Sequence, residues 1–242
     1  MDMKRQRLGQ HYLVDPDAVR RIVAAAQIGR GETVLEIGTG RGALTRELLP
    51  VCERLVAYEL DPANFEATLG AVGARNLELH LADAFRERPA FDVLVATLPY
   101  SRSADFVEWL SQVEYDRAVV VLQEDFVQKI ISPPGSRGYR AISAIAQISS
   151  AVRLGDRIGR EAFSPQPRVD SRVALFVPRT RLRRPQITLV KRLFALRRRK
   201  LSSALIHAGI GANAALPNLS KRVFHLSPAE VYQLVSGAPP AA

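Results

Sequence analysis

Short apolar, β-rich runs at residues 33–37, 54–59, 77–81, 91–96 and 117–122 alternate with segments of helical period near residues 16–26, 43–51, 63–72 and 104–112. Strands covered on both faces read as continuous apolar runs, so this alternation predicts a parallel sheet with crossover helices, an α/β fold. A helix over 125–131, a loop at Pro133-Pro134-Gly135-Ser136, a helix over 141–150 and a last strand at 172–177 are expected to follow. Pro178 and Pro185 then punctuate a change to basic, helical sequence. The expected organisation is an α/β domain over residues 1–178 and a small basic helical domain over residues 179–242.

Composition removes several function classes. With 47% hydrophobic and 24% charged residues in 242, the chain can bury a sizeable core, which excludes wholesale disorder. No apolar run approaches the roughly 20 residues that span a bilayer. The basic start from Met1 to Arg7 lacks the apolar stretch of a signal peptide, so a cytoplasmic protein without membrane attachment is expected. Cys52 is the single cysteine and cannot form an internal disulfide. His11, His80, His207 and His225 show no Cys/His spacing suited to a metal, and none is expected.

The net charge of +10 matters mainly for where it lies. Residues 162–229 contain fourteen Lys/Arg and a single acid, Asp170, whereas the rest of the chain is slightly acidic. The densest stretch runs from Arg179 to Arg197-Arg198-Arg199-Lys200 without a carboxylate. Such a field suits a polyphosphate backbone; the alternatives are a solvated helix face or an anionic membrane surface, although the stretch lacks the aromatic-rich apolar face of an interfacial helix.

Candidate chemistry gathers at the ends of the predicted strands. After the first comes Glu36-Ile37-Gly38-Thr39-Gly40-Arg41-Gly42-Ala43, whose glycines permit a tight turn and close approach of a ligand. The loop indicates a nucleotide-like cofactor without choosing one, since it also fits dinucleotide binding. Glu59 ends the second strand, where a carboxylate can accept from both ribose hydroxyls. Asp83-Ala84 follows the third, where a carboxylate can accept from an adenine amine while the next N–H donates to the ring. The plainer alternative makes Asp83 a helix N-cap and Glu59 a surface acid.

The fourth strand ends in Thr97-Leu98-Pro99-Tyr100, where an open α/β sheet presents the cofactor's reaction partner. An adenine amine is a poor nucleophile because its lone pair is delocalised into the ring. Acceptors in a proline-restrained turn can hold both N–H groups and favour a pyramidal nitrogen, while Tyr100 stacks on an extruded base. Taken alone, such a tripeptide is equally a packed turn.

Together these segments resemble the ribosomal RNA adenine N6-dimethyltransferase family, over nearly the whole chain. Gln10-His11-Tyr12-Leu13 is similar to the family's QNFL or QHFL motif, Glu36–Thr45 to its EIGxGxGxLT loop, and Ala57-Tyr58-Glu59-Leu60-Asp61 to its second strand with the ribose-binding acid. The segments beginning at Val121 and Pro134, the run Phe163-Ser164-Pro165-Gln166-Pro167-Arg168-Val169-Asp170-Ser171, and the helix from Phe194 to Leu201 resemble its VQKEFA, PGSxxY, FxPxPKVDS and FxxRRKxL elements. One departure is central: the family usually has Asn where this chain has Thr97.

The resemblance implies a Rossmann-like sheet with a small C-terminal helical domain, and S-adenosyl-L-methionine held by Gln10, His11, Leu13, Gly38, Gly40, Glu59, Asp83, Ala84 and Thr97. It implies a base held by Thr97, Leu98, Pro99 and Tyr100 with Phe163 on its other face, and RNA phosphates met by Arg168, Arg197, Arg198, Arg199 and Lys200. The expected activity is dimethylation of adenosine N6, at two adjacent adenosines near the 3′ end of small-subunit ribosomal RNA, by a monomer acting on the small subunit or its precursor. A ribosome-assembly factor with weakened chemistry is the alternative that Thr97 raises. A nicotinamide-dependent oxidoreductase fits the glycine loop and Glu59 but leaves the later motifs unexplained.

Overall fold

The computed structural model describes residues 11–210 and 218–237. In chain order the elements are β1 (Tyr12–Leu13), α1 (Pro16–Ala26), β2 (Thr33–Ile37), α2 (Ala43–Leu48), β3 (Arg54–Glu59), α3 (Pro62–Ala71), β4 (Leu77–Leu81), β5 (Val93–Thr97), α4 (Ser103–Leu110), β6 (Arg117–Gln123), α5 (Glu124–Ile130), α6 (Ala141–Ser149), β7 (Ser150–Ile158), β8 (Phe163–Ser164), β9 (Ser171–Pro178), α7 (Arg184–Ala195), α8 (Leu201–Ala208) and α9 (Pro228–Ser236). The large sheet has the order β4-β3-β2-β5-β6-β9-β7. Its first five strands are parallel, and β9 runs antiparallel to β6. This is a Rossmann-like α/β architecture, and its strand order reverses between β2 and β5.

Local chemistry sets the starts of the crossover helices. Asp15 accepts from the Asp17 N–H and Pro16 opens α1; Asp61 and Pro62 repeat the device at α3. The buried face of α1, formed by Ala18, Val19, Ile22 and Ala26, packs in one core with Val34, Leu55, Val93, Val95 and Val119 from the sheet. At the edge opposite the strand C-termini, Arg117 donates to the Ala26 and Gln27 carbonyls at 2.6 and 2.7 Å and to both Glu32 oxygens at 2.9 and 2.6 Å. This fork ties the end of α1 to β6, and the Arg117 guanidinium holds the Glu32 carboxyl below the usual carboxylate range.

Contacts divide the chain into two compact units. The first takes residues up to 106, 113–124 and 153–178, and holds most of the sheet; the second takes 107–112, 125–152 and residues from 179 onward. Segments upstream of residue 178 therefore pack with the basic C-terminal sequence. Within the second unit α6, α7 and α9 pack on one another, with fully buried Tyr139 meeting the Phe194 ring edge-on at a centroid distance of 5.3 Å.

Three features differ from the sequence pattern. Strand β7 was not signalled, and the short pair β1–β8 lies below the length that periodicity detects. The basic run expected within a helix lies instead in the turn between α7 and α8. There the Arg197 and Arg199 carbonyls accept from the Phe224 and Val223 N–H groups at 3.1 and 3.2 Å, and Lys200 bridges to Arg222. Pairing with residues 222–224 replaces the helical hydrogen bonds that this run would otherwise make. Among the described residues no helix is long and apolar enough to cross a membrane.

Replacing Arg117 by Met is expected to lower unfolding stability by about 2–3 kcal/mol, because Glu32 and two helix-end carbonyls lose a charged donor. Urea denaturation checks this; a midpoint equal to that of the unsubstituted protein contradicts the clamp.

Candidate active site

The glycine loop leaves β2 where the strand order reverses, and Ile37 lies beside Ala96 of β5, so the loop faces the turn that begins at Thr97. Gly38, Gly40 and Gly42 have φ of +82°, +57° and +75°, a region L side chains rarely adopt. A Cβ on Gly40 would also lie 3.2 Å from the Tyr12 ring. Glu59 fixes the loop. One of its oxygens accepts from the Gly40 N–H at 2.8 Å, and the other from the Leu60 and Asp61 N–H groups at 2.8 and 2.9 Å. Glu59 is thus a buried clasp rather than a surface acid, and a carboxylate with about four acceptor sites retains capacity for a ligand hydroxyl.

Three clefts meet at this edge. The first, beside the loop, is lined by His11, Leu13, Glu36, Gly40, Glu59 and Thr97 among others. The second, of about 370 Å³, lies among Ile37, Tyr58, Asp83, Ala84, Phe85 and Arg102. Gly38, Glu59 and Pro99 line both. The third is a narrow slot of about 10 Å³ formed by His11, Thr97, Leu98, Tyr100, Val121 and Phe163. The turn after β5 serves all three: Thr97 lines the first and third, Leu98 the second and third, Pro99 the first and second, and Tyr100 the third.

Asp83 has two hydrogen-bond partners and an ion-pair contact with Arg86 at 3.9 Å. It caps the following turn by accepting from the Phe85 N–H at 3.1 Å, and both its oxygens accept from Arg102 at 3.1–3.2 Å. The Arg102 guanidinium also lies over the Phe85 ring, 4.7 Å from its centroid. Arg102 had no sequence signal beyond its place three residues after Pro99.

Glu36 opens the glycine-loop sequence, where no sequence pattern marks it as a functional group. Its carboxyl is fully buried beside the first cleft, where the Thr45 hydroxyl and N–H are its polar neighbours and neither oxygen makes a hydrogen bond of good geometry. Burial, reinforced by repulsion from Glu59, pushes the carboxyl up to about 8, and Thr45 offsets only part of this. A buried carboxyl lining a cleft, with only Thr45 favouring its charged form, suits a ligand that carries positive charge there.

In the slot, the antiparallel pair β1–β8 sets Leu13 opposite Phe163 and brings the His11 Nδ1 within 2.7 Å of the Pro165 carbonyl. The His11 and Tyr100 rings lie 5.5 Å apart between centroids. The Tyr100 hydroxyl bonds to Ser171 at 2.8 Å, and burial raises its pKa. The slot has room for about one water, so a planar base has to displace side chains to enter. Pro99's carbonyl already accepts from the Arg102 N–H at 2.9 Å. Arg168 is exposed in the first unit; Arg198, Arg199 and Lys200 are exposed in the second and Arg197 is partly covered. Gln10 lies outside the described residues.

A profile of the family described as Ribosomal RNA adenine dimethylase matches residues 1–236. The chain is 38% identical over 240 residues to a probable ribosomal RNA small subunit methyltransferase A from Thermococcus gammatolerans, covering 94% of this chain and 86% of the relative. It is 34% identical to the protein of the same description from Pyrococcus abyssi, covering 94% and 89%. Among solved structures, a dimethyladenosine transferase from Plasmodium falciparum superposes with a TM-score of 0.80 at 23% identity, covering 93% of this chain and 96% of that one. The 23S rRNA methyltransferase ErmE superposes with a TM-score of 0.65 at 23% identity, covering 93% and 98%.

Because the fold raises the Glu36 pKa from its ordinary value of 4.5, the contribution of protonated Glu36 to stability is full below that value and is lost as pH rises through about 8. Thermal unfolding of the ligand-free protein is expected to show a fall in Tm between about pH 5 and pH 8 that is smaller in Glu36→Gln. Parallel pH profiles for the two proteins contradict the assignment.

Proposed function

The chain belongs to the ribosomal RNA adenine dimethylase family, and from that premise we propose that it dimethylates N6 of two adjacent adenosines near the 3′ end of small-subunit ribosomal RNA, through the three clefts at the C-terminal edge of its sheet. As a family member it is an S-adenosylmethionine-dependent methyltransferase acting on ribosomal RNA adenine. The observation that carries the assignment of roles is that His11 and Thr97 line both the loop cleft and the aromatic slot. A methyl donor on one side and an adenine on the other then meet at these two side chains.

The residues present fit the cofactor. Asp83 and Ala84 take its adenine, Glu59 its ribose hydroxyls, and Gly38 and Gly40 leave the loop backbone open to it. The buried Glu36 carboxyl, its pKa raised to about 8 with only Thr45 offsetting the shift, is driven to its charged form by the positive charge of the cofactor's methionine portion. Leu13 and His11 line the loop cleft, and the resemblance alone gives Gln10 a part in covering it. Once bound, S-adenosylmethionine supplies a sulfonium methyl as the electrophile.

The chain's own groups prepare the nucleophile. Thr97 accepts a hydrogen bond from the target amine, and the Leu98 and Pro99 carbonyls stand beside it. Tyr100, held by Ser171, and Phe163 face the base from the slot. Arg168, Arg197, Arg198, Arg199 and Lys200 meet RNA phosphates, which position the RNA without reading its sequence. The helical domain at 179–242 is in this reading the RNA-contacting part of the chain, and the protein acts as a cytoplasmic monomer on the small subunit or its precursor.

Thr97 favours a second reading, an RNA-binding assembly factor with weak chemistry, because a hydroxyl is a shorter acceptor than a carboxamide and its own proton needs a partner. The test incubates the protein with S-adenosylmethionine and small subunits lacking adenine dimethylation, and then quantifies methylated nucleosides by mass spectrometry. Dimethyladenosine is expected, with Thr97→Asn raising the rate by about tenfold or more. No methylated adenosine, with cofactor and subunit binding demonstrated, selects the assembly factor.

A further inference from the structure

The cleft at the Asp83 end holds a cation that has no part in the roles assigned above. Arg102 reaches Asp83 from the turn after β5, and its Nη2 donates to both carboxylate oxygens, at 3.2 Å to Oδ1 and 3.1 Å to Oδ2. Its guanidinium carbon lies 4.7 Å from the centroid of the Phe85 ring. Asp83, Ala84, Phe85 and Arg102 line one cleft of about 370 Å³. Without ligand, the guanidinium therefore holds two of the groups among which the donor's adenine is placed, the carboxylate that accepts from its amine and the aromatic ring beside it.

Arg102 has a second carboxylate within reach. Its Nε is buried and has no hydrogen-bond partner among the described residues, although an Asp105 oxygen lies 3.4 Å away. Asp105 stands in the first turn of α4, with a side chain 64% exposed against 19% for Asp83. The two Asp83 oxygens are not equally committed. Oδ1 also accepts from the Phe85 N–H at 3.1 Å, whereas the other cation near Oδ2, Arg86, is 3.9 Å away and largely exposed. Oδ2 is the oxygen that Arg102 alone hydrogen-bonds.

We propose that Arg102 sets the affinity for the donor by competing with its adenine for Asp83, yielding Oδ2 to the adenine amine and turning its Nε onto Asp105 when the donor binds. This rests on the methyltransferase reading above. A guanidinium–carboxylate hydrogen bond is charge-assisted and stronger than one from a neutral amine, so the bond displaced offsets part of the bond gained. Apparent affinity falls with the fraction of molecules in which Oδ2 is open. The demethylated product, S-adenosylhomocysteine, carries the same adenosine and is weakened to the same extent. Two methyl groups on one amine consume two donors, each leaving a product behind, and a contested adenine seat speeds the exchange of product for fresh donor.

The experiment measures binding of S-adenosylmethionine and of S-adenosylhomocysteine to the full chain by calorimetry, with thermal unfolding of each ligand-free protein. Arg102→Met keeps an aliphatic stem and removes the guanidinium. Asp105→Asn removes the second carboxylate at an exposed position, and so reads the same competition without disturbing the interior. Arg102→Met is expected to bind both ligands about threefold or more tightly, although its ligand-free Tm falls because Asp83 loses its charged donor. A merely structural role for Arg102 lowers stability and affinity together. Asp105→Asn is expected to bind both ligands about twofold or more weakly, since Arg102 then has Asp83 as its one carboxylate partner, and to have no effect when introduced into Arg102→Met.

Three results overturn the proposal: affinity in Arg102→Met no better than in the unsubstituted protein, tightening confined to one of the two ligands, or an Asp105→Asn effect that is absent or that persists in Arg102→Met. Failure of both the unsubstituted protein and Arg102→Met to bind either ligand overturns the functional reading and this proposal with it. Binding of both ligands by the unsubstituted protein, together with any of the three, overturns this proposal alone.

Discussion

The Glu59 carboxylate is the constraint on which the site depends. Three backbone N–H groups from two segments converge on it, so the glycine loop after β2 and the turn after β3 are held to one buried charge. A charge-assisted bond of this kind is stronger than a neutral one, and here three share an acceptor. The loop is also held by the Gly38 N–H on the Tyr58 carbonyl at 2.8 Å and the Thr68 hydroxyl on the Gly40 carbonyl at 3.3 Å, but Glu59 alone takes N–H groups from both segments. With it, Gly38 and Gly40 stand open beside the reversal of strand order, where a parallel sheet leaves a crevice.

A second constraint follows from what the loop encloses. Glu36 is buried with only Thr45 to favour its charged form, which is an unfavourable place for a carboxylate unless a positive ligand arrives. The site is therefore tuned by what it lacks as well as by what it holds. Asp83 is the opposite case, since it is satisfied by Phe85 and Arg102 before any ligand is present. An adenine amine competing for Asp83 has to share it with that guanidinium. The division of labour is then physical: Glu59 builds, Glu36 selects for positive charge, and Asp83 is shared.

Much of this was legible along the chain, because strands buried on both faces and helices opened by Asp-Pro leave strong local patterns. The runs at 33–37, 54–59 and 77–81 coincide with β2, β3 and β4, and the helix over 16–26 with α1. Helix α2 stops at Leu48, three residues before the apolar periodicity does, since Pro50 has no N–H to continue the ladder, and Val51 and Cys52 close the end onto the Leu48 carbonyl. Strand β7 escaped notice because Arg153, Asp156 and Arg157 break any alternation on what is an edge strand, with Gly155 set against Val173 and Leu175. Glu59 and Asp83 were visible as strand-end acids. The burial of Glu36 and the pairing of Arg102 were not, since both arise from contacts between residues far apart in sequence. The family resemblance supplied the donor and acceptor identities that spacing alone left open.

The central claim is that the three clefts form one path from the Asp83 end to the aromatic slot, with His11 and Thr97 at the crossing. A crystal structure of the protein with S-adenosylmethionine bound tests it most directly. The account predicts adenine among Asp83, Ala84 and Phe85, ribose on Glu59, and the methyl group directed between His11 and Thr97 into the slot. Adenine seated outside that cleft, or a methyl group directed away from these two residues, contradicts it.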